Sequence, residues 1–136
     1  MTVETVTASV LIGAEPDEVF EYFTRAGAMV SWMGQFAHLD PRPGGRLAVD
    51  INGSPVRDEF QKLEPPHRLV FTWGFAGSDE LPPGASTVEV LLTSDSGGTR
   101  VDVIHRGLPE SKREEHARGW RYFLGRLADR IPTRAL

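Results

Sequence analysis

The sequence predicts an α+β fold in which an antiparallel sheet of six or seven strands packs against one long C-terminal helix. Three patterns lead to this prediction. Apolar and polar residues alternate in several short segments up to residue 105, as they do in half-buried strands. Clusters of glycine and proline separate these segments. From about Ser111 to Ile131 the apolar residues instead recur every three or four positions, which is typical of a helix that buries one face.

The first strand and two short helices are predicted at the start of the chain. Residues 3–12 alternate between apolar and polar side chains. Pro16, followed by two acidic residues, is a typical first turn of a helix, and this helix is expected to end near Thr24. A second short helix is predicted from Gly27 to Trp32.

The remaining strands form a predicted antiparallel meander. The turn signals Pro41–Gly45, Asn52-Gly53 and Ser96–Gly98 divide it. Its most apolar strand carries four residues on one face, because alternate residues of a strand point the same way: Leu69, Phe71, Trp73 and Phe75. No repeat or linker interrupts the pattern, so we expect a single domain over residues 1–136.

Composition and charge exclude several classes of function. The chain of 136 residues has a formal net charge of −4, which does not attract nucleic acid. It contains no cysteine, and therefore no disulfide, cysteine zinc ligand or thiol nucleophile. No apolar stretch is long enough to span a membrane and no signal peptide is evident, so we expect a cytoplasmic protein without a membrane partner.

Two histidines are the candidate polar groups of the interior. His105 shares a strand face with Val101 and Val103, and His116 precedes Trp120 by one turn of the last helix. Each is interpreted either as a hydrogen-bonded core group or as a polar anchor or general base. The spacing of the histidines matches no metal motif, and no Gly-x-Ser-x-Gly motif is present, so neither a metal nor a cofactor is expected.

Several motifs, taken in order along the chain, resemble the START-like (SRPBCC, birch-pollen-allergen) superfamily. They are closest to the activator of heat-shock-protein-90 ATPase family, in its stand-alone bacterial form. Asp58 departs from the pattern, since this family often has glycine there, and the loop 76–85 matches no motif. The motifs that carry the resemblance are Pro16–Phe20, Trp32, Arg42–Gly45, Pro65–Trp73, Gly98–Arg100, His105, Gly107-Leu108, His116 and Gly119-Trp120.

The resemblance implies a helix-grip fold, in which a curved seven-stranded sheet grips the long helix and leaves a cavity beside it. The aromatic residues are then interpreted either as walls of a ligand cavity or as ordinary core. Trp73 and Trp120 are expected on facing walls, one on the sheet and one on the helix. The predicted ligand-binding residues are Trp32, Phe36, Phe71, Trp73, Phe75, His105, His116, Trp120 and Phe123.

Two further expectations concern the helix and the cavity entrance. Gly119 is unfavourable inside a helix, so either a close approach of the helix to the sheet or a ligand touching the bare backbone should offset its cost. The loop 76–85, with Leu81 as its apolar tip, and the segment 33–36 are predicted to form the entrance.

Three functions are compatible with the sequence. The leading hypothesis is non-catalytic binding of a small hydrophobic or amphipathic molecule, because the aromatic face carries few convergent charges. The second is an enzyme similar to polyketide cyclases and aromatases, which need no metal or covalent nucleophile. The third is a chaperone partner that stimulates a heat-shock ATPase.

Overall fold

A computed structural model describes residues 5–133 and contains seven strands and three helices. The strands form one antiparallel sheet with the order β1-β7-β6-β5-β4-β3-β2. The predicted fold class is therefore confirmed, with seven strands. The strands are β1 (Thr5–Ile12), β2 (Phe36–Leu39), β3 (Arg46–Ile51), β4 (Ser54–Glu64), β5 (Arg68–Trp73), β6 (Ser86–Asp95) and β7 (Gly98–Arg106); the helices are α1 (Pro16–Thr24), α2 (Ala26–Met29) and α3 (Glu110–Arg130).

The differences from the prediction lie in the short elements. The predicted second helix shrinks to the four residues of α2, and residues 30–32 form a turn. β2 was not predicted at all. It has only four residues and pairs only with β3 at the sheet edge, so it lacks the long alternating pattern by which strands are recognised.

The predicted turn at Asn52-Gly53 is confirmed. Ile51 pairs with Ser54 across a two-residue turn. Asn52 and Gly53 have φ values of 49° and 86°, which are the positive angles that this kind of hairpin turn requires. The turn matters because it extends beyond the sheet toward the N-terminal half of α3.

The core lies between the sheet and the helices. Residues paired across the central strands point to the same face, as Phe71 and Val88 or Val90 and Val103 do. The opposite side of the core comes from the helices, chiefly Val19 and Phe23 of α1 with Leu124 and Leu127 of α3.

α3 covers the sheet unevenly. Its closest neighbour in the sheet is β1, at one edge. Its C-terminal half is tied to the turn after α2, because Arg126 and Arg130 donate hydrogen bonds to the carbonyls of Trp32 and Ser31. The N-terminal half therefore stands opposite the far part of the sheet, where a space remains. Among residues 5–133, no helix has the length and apolar composition of a membrane span.

Candidate ligand-binding cavity

A cavity of about 560 Å³ lies between α3, the β3–β4 turn and the end of β5. This volume lies within the range of small-molecule sites. Its walls are mainly aromatic on the sheet and helix sides and polar at the turn. The lining residues are Ile51, Asn52, Gly53, Ser54, Pro55, Trp73, Phe75, Ala76, Gly77, Ser78, Lys112, Glu115, His116, Gly119, Trp120 and Phe123.

The sheet wall depends on the close packing of Gly74. Trp73 and Phe75 stand on either side of it, with ring centroids 6.0 Å apart in an edge-to-face arrangement. A Cβ atom at Gly74 would lie 1.8 Å from the carbonyl oxygen of Pro82. Only glycine therefore lets residues 74–85, the β5–β6 loop, fold back against the end of β5.

The helix wall is one face of α3. His116, Gly119, Trp120 and Phe123 follow each other at the spacing of one helix face. No atom lies within 4 Å of the position that a Cβ of Gly119 would occupy. The interpretation that Gly119 permits a close approach to the sheet is therefore wrong. Its bare backbone opens into the cavity.

Trp73 and Trp120 come from opposite sides of the cavity. Their ring centroids are 5.7 Å apart and their planes are tilted by 49°. Both side chains are buried, with exposed fractions of 4%. The two rings therefore close the inner end of the cavity and leave its outer part to Phe75, His116 and Phe123.

His105 supports Trp120 from behind. The indole Nε1 of Trp120 donates to Nδ1 of His105 over 3.0 Å, so that nitrogen carries no proton. Nε2 then bears the proton and donates to the Ser86 hydroxyl at 2.8 Å, which in turn donates to the carbonyl of Trp73 at 2.6 Å. This chain of hydrogen bonds fixes both tryptophans and uses both ring nitrogens of His105.

Burial keeps His105 neutral. Desolvation, with a smaller contribution from the nearby His116, lowers the pKa of His105 to about 3. A proton on Nδ1 would also meet the indole N–H of Trp120. His105 is therefore a structural group of the cavity floor.

His116 has the opposite tautomer and a different environment. Its Nδ1 donates to the carbonyl of Lys112, one turn earlier in α3, at 2.9 Å. Nε2, at the far end of the ring, makes no hydrogen bond to any residue in the range 5–133. Desolvation by burial lowers the pKa of His116, which favours the neutral ring. His116 therefore offers a free lone pair to the cavity it lines.

A second polar atom in the wall also lacks a partner. Nε1 of Trp73 is buried and makes no hydrogen bond within the described part of the chain. A buried N–H without a partner is costly, and such groups often await a ligand or water. The cavity therefore offers a free acceptor on His116, whereas the unpartnered N–H of Trp73 is buried within the wall.

Five of the predicted site residues border this cavity: Trp73, Phe75, His116, Trp120 and Phe123. Phe71 and His105 lie directly behind it, against Trp73. Trp32 lies elsewhere, packed edge-on against Phe23 with its Nε1 bonded to the carbonyl of Tyr22. Phe36 is half-exposed on β2 and lies outside the lining.

Sequence reasoning missed the β3–β4 turn and the polar helix residues as parts of the lining. The Asn52-Gly53 signal placed the hairpin, but no local pattern shows that the turn reaches α3. Lys112 and Glu115 were not among the predicted site residues. Their positions, one turn or less before His116, were the available signal.

The predicted entrance is present in part. Ala76, Gly77 and Ser78 of the β5–β6 loop line the cavity. Leu81, predicted as the apolar tip of the loop, is instead fully buried. Its burial holds the middle of the loop in the core. Met33 is also buried, so the segment 33–36 stays outside the lining.

Asp58, the residue that departs from the pattern described above, holds this loop in place. Its Oδ1 accepts hydrogen bonds from the hydroxyl of Thr72 and the backbone N–H of Gly84, both at 2.7 Å. Its Oδ2 accepts from the N–H of Gly74 at 2.9 Å. One carboxylate therefore fastens both ends of the β5–β6 loop to β4.

The seven-stranded antiparallel sheet, the long C-terminal helix and the cavity between them define a START-like protein of the helix-grip type. The model of the Activator of Hsp90 ATPase homolog 1-like protein family matches residues 13–131. The chain belongs to this family.

Individual relatives agree with this assignment. The human activator of 90 kDa heat shock protein ATPase homolog 1 is 27% identical over 113 residues, which cover 81% of this chain and 32% of the human protein. The chain thus spans about a third of that relative's length.

Two solved structures show the same fold. DynU16, a protein in the dynemicin biosynthetic locus, has a TM-score of 0.82 and 29% identity, and the match covers 94% of this chain and 47% of DynU16. CalU16 from Micromonospora echinospora has a TM-score of 0.76 and 26% identity, with 92% of this chain and 74% of CalU16 covered.

Proposed function

We propose that the protein binds a small hydrophobic or amphipathic molecule in the cavity between α3 and the sheet. The observation that carries this proposal is the space at Gly119, which lines the cavity and where an added Cβ would meet no atom within 4 Å apart from the neighbouring helix backbone. Glycine costs about 1 kcal/mol relative to alanine inside a helix, and no packing contact of the protein offsets that cost here. Contact with a bound molecule would offset it.

The chemistry of the walls supports an apolar body with a polar end. Trp73, Phe75, Trp120 and Phe123 supply most of the apolar surface. Lys112 and Glu115 carry opposite charges at the outer end of the helix wall, so this end favours neither anions nor cations. A molecule whose apolar part reaches the tryptophans and whose polar part remains near α3 fits both regions.

The cavity offers little catalytic machinery. Both nitrogens of His105 are engaged in the hydrogen-bond chain that fixes the tryptophans. This supports binding without turnover.

Catalysis similar to that of polyketide cyclases is the second candidate, and the free Nε2 of His116 favours it because a general base needs an available lone pair. A protein partner, by analogy with the human heat-shock ATPase activator, is the third.

Native mass spectrometry of the protein purified from its own host tests the leading proposal. We expect a co-purifying small molecule that is released on mild unfolding. Gly119→Leu should purify without it, whereas Gly125→Leu, on the exposed side of the same helix, should retain it. Ligand-free protein from the host, together with no saturable binding of any apolar probe, would refute the proposal.

The same preparation separates the alternatives. Saturable turnover of polyketide-like substrates that disappears in His116→Leu would establish an enzyme. Capture of the heat-shock ATPase, with stimulation of its ATP hydrolysis, would establish the chaperone role.

A further inference from the structure

The free nitrogen of His116 restricts the chemistry of the ligand. Its Nδ1 proton is held by the carbonyl of Lys112, which fixes the tautomer and the ring orientation. Nε2 of the neutral ring can then only accept a hydrogen bond. A purely apolar ligand would displace the water that donates a hydrogen bond to Nε2 and would offer no donor in its place.

The aromatic surroundings of His116 make the loss of this hydrogen bond costly, because they supply no other donor. Its ring centroid lies 5.4 Å from that of His105 and 6.1 Å from that of Phe75, so two rings flank it. His105 cannot satisfy Nε2 of His116, because its own N–H already donates to Ser86. The missing donor has to come from water or from the ligand.

A hydroxyl group can supply the missing donor, because it both donates and accepts hydrogen bonds. An ether or a ketone oxygen can only accept. Nε1–H of Trp73 also lacks a partner in residues 5–133, but it is buried within the cavity wall, so His116 is the residue that restricts the ligand.

We propose that the ligand is an uncharged molecule with an aromatic or other flat apolar body and a hydroxyl group, and that this hydroxyl donates a hydrogen bond to Nε2 of His116. This inference rests on the proposed binding function and adds the polar group that the cavity selects. His116 is then the residue that distinguishes hydroxylated molecules from their unhydroxylated or methylated counterparts.

Calorimetric titration with naphthalene, naphthol and naphthol methyl ether tests the inference. Naphthol and its ether share the flat body and the oxygen acceptor, but only naphthol can donate. Because a neutral hydrogen bond contributes about 0.5–1.5 kcal/mol net, the naphthol-to-ether affinity ratio should be roughly three- to tenfold higher in the wild type than in His116→Leu.

Two controls make the comparison specific. His38→Leu removes a histidine on β2, outside the cavity lining, and should keep the wild-type ratio. The affinity of the ether for His116→Leu should match or exceed that for the wild type, which shows that the cavity is intact in the variant.

The possible results separate this inference from the proposed function. If the three molecules bind but His116→Leu leaves the naphthol-to-ether ratio unchanged, the role of His116 is refuted and the binding function stands. If none of them binds saturably, the proposed function is refuted for flat apolar molecules, and this inference falls with it.

Discussion

His105 shows how a buried polar residue can shape a cavity without reacting in it. It has no exposed surface, and each of its ring nitrogens is bonded to a group that positions a tryptophan. The sequence placed His105 on the inner face of its strand by simple alternation. It could not show which nitrogen is bonded, because the partners Ser86 and Trp120 are brought to it by strand pairing and helix docking.

The lowered pKa of His105 makes a prediction for stability against pH. Above pH 6.5 the ring is neutral in both the folded and the unfolded chain, so its contribution is constant. Between pH 6.5 and about 3, His105 binds a proton in the unfolded chain but stays neutral in the folded protein. The free energy of unfolding should therefore fall with decreasing pH in this window, by up to about 1.4 kcal/mol per pH unit from this residue.

Denaturant unfolding of the wild type and His105→Gln between pH 4.5 and 7 measures this contribution. Glutamine cannot titrate, so the variant should lose less stability than the wild type as the pH falls. The other three histidines are present in both proteins, so the difference reports His105 together with its interaction with the neighbouring His116. Parallel stability curves would show that His105 titrates normally.

At the level of the element, α3 carries a matched pair of glycines. A Cβ at Gly119 or Gly125 would meet no atom within 4 Å, but only Gly119 lines the cavity. Gly119→Ala and Gly125→Ala should each stabilise the protein by up to about 1 kcal/mol, because alanine favours the helix. Only Gly119→Ala should weaken ligand binding, since its methyl group enters the cavity.

Thermal unfolding and calorimetric titration of naphthol check the two expectations separately. Equal affinities for both variants and the wild type would mean that no ligand atom approaches the backbone at Gly119. A destabilised Gly119→Ala would mean that the added methyl group clashes with a neighbouring atom.

The β5–β6 loop depends on Asp58 in a comparable way. Asp58→Ala removes the acceptor of the Gly74 and Gly84 N–H groups. Amide hydrogen exchange across residues 74–84 should accelerate, and the protein should lose about 1–3 kcal/mol for the buried N–H of Gly74 left unpaired, whereas the exposed N–H of Gly84 can bond to water. Asp79→Ala, an exposed change of the same charge within this loop, should leave the exchange unaltered. If exchange is unchanged in Asp58→Ala, Asp58 does not hold the loop, and the burial of Leu81 is what keeps it ordered.

The elements differ in how far the sequence could predict them. The long helix was predicted within one residue at each end, because its apolar stripe continues through about four turns. β2 was missed, since its four residues are held by pairing with β3. The loop could be located by its glycines and prolines. The burial of Leu81 could not be predicted, because the loop is held by Asp58, a residue of β4 that no local pattern relates to it.

For the whole molecule, the cavity links ligand binding to unfolding. A molecule that binds only the folded protein stabilises it by about 2.7 kcal/mol at a hundredfold excess over its Kd. For a chain of this size the melting temperature should then rise by about 10 °C. Naphthol should raise the Tm of the wild type and of Gly125→Ala to a similar extent, and that of Gly119→Ala less. An equal rise of the Tm in Gly119→Ala would mean that naphthol binds at a site away from Gly119.

The overall architecture was predictable because many weak signals agreed, whereas the cavity was only partly so. Alternation, turn residues and the helical stripe each predict local structure, and the resemblance to the START-like superfamily implies how the sheet and the helix are arranged. The cavity depends on where α3 docks across the sheet. Arg126 and Arg130 set that position through the carbonyls of Trp32 and Ser31, which are contacts between segments that no local pattern relates.

The position of β1 in the sheet also has a consequence for folding during synthesis. Thr5 pairs with Arg106, so β1, which is synthesised before the other six strands described here, can pair only after β7 has left the ribosome. Bringing β1 and β7 together costs chain entropy before their contacts can stabilise the pairing. Topologies of this kind fold slowly. Until β7 has been synthesised, the apolar residues of β1 must therefore remain unpaired, and α3, which packs over β1, can dock only after that.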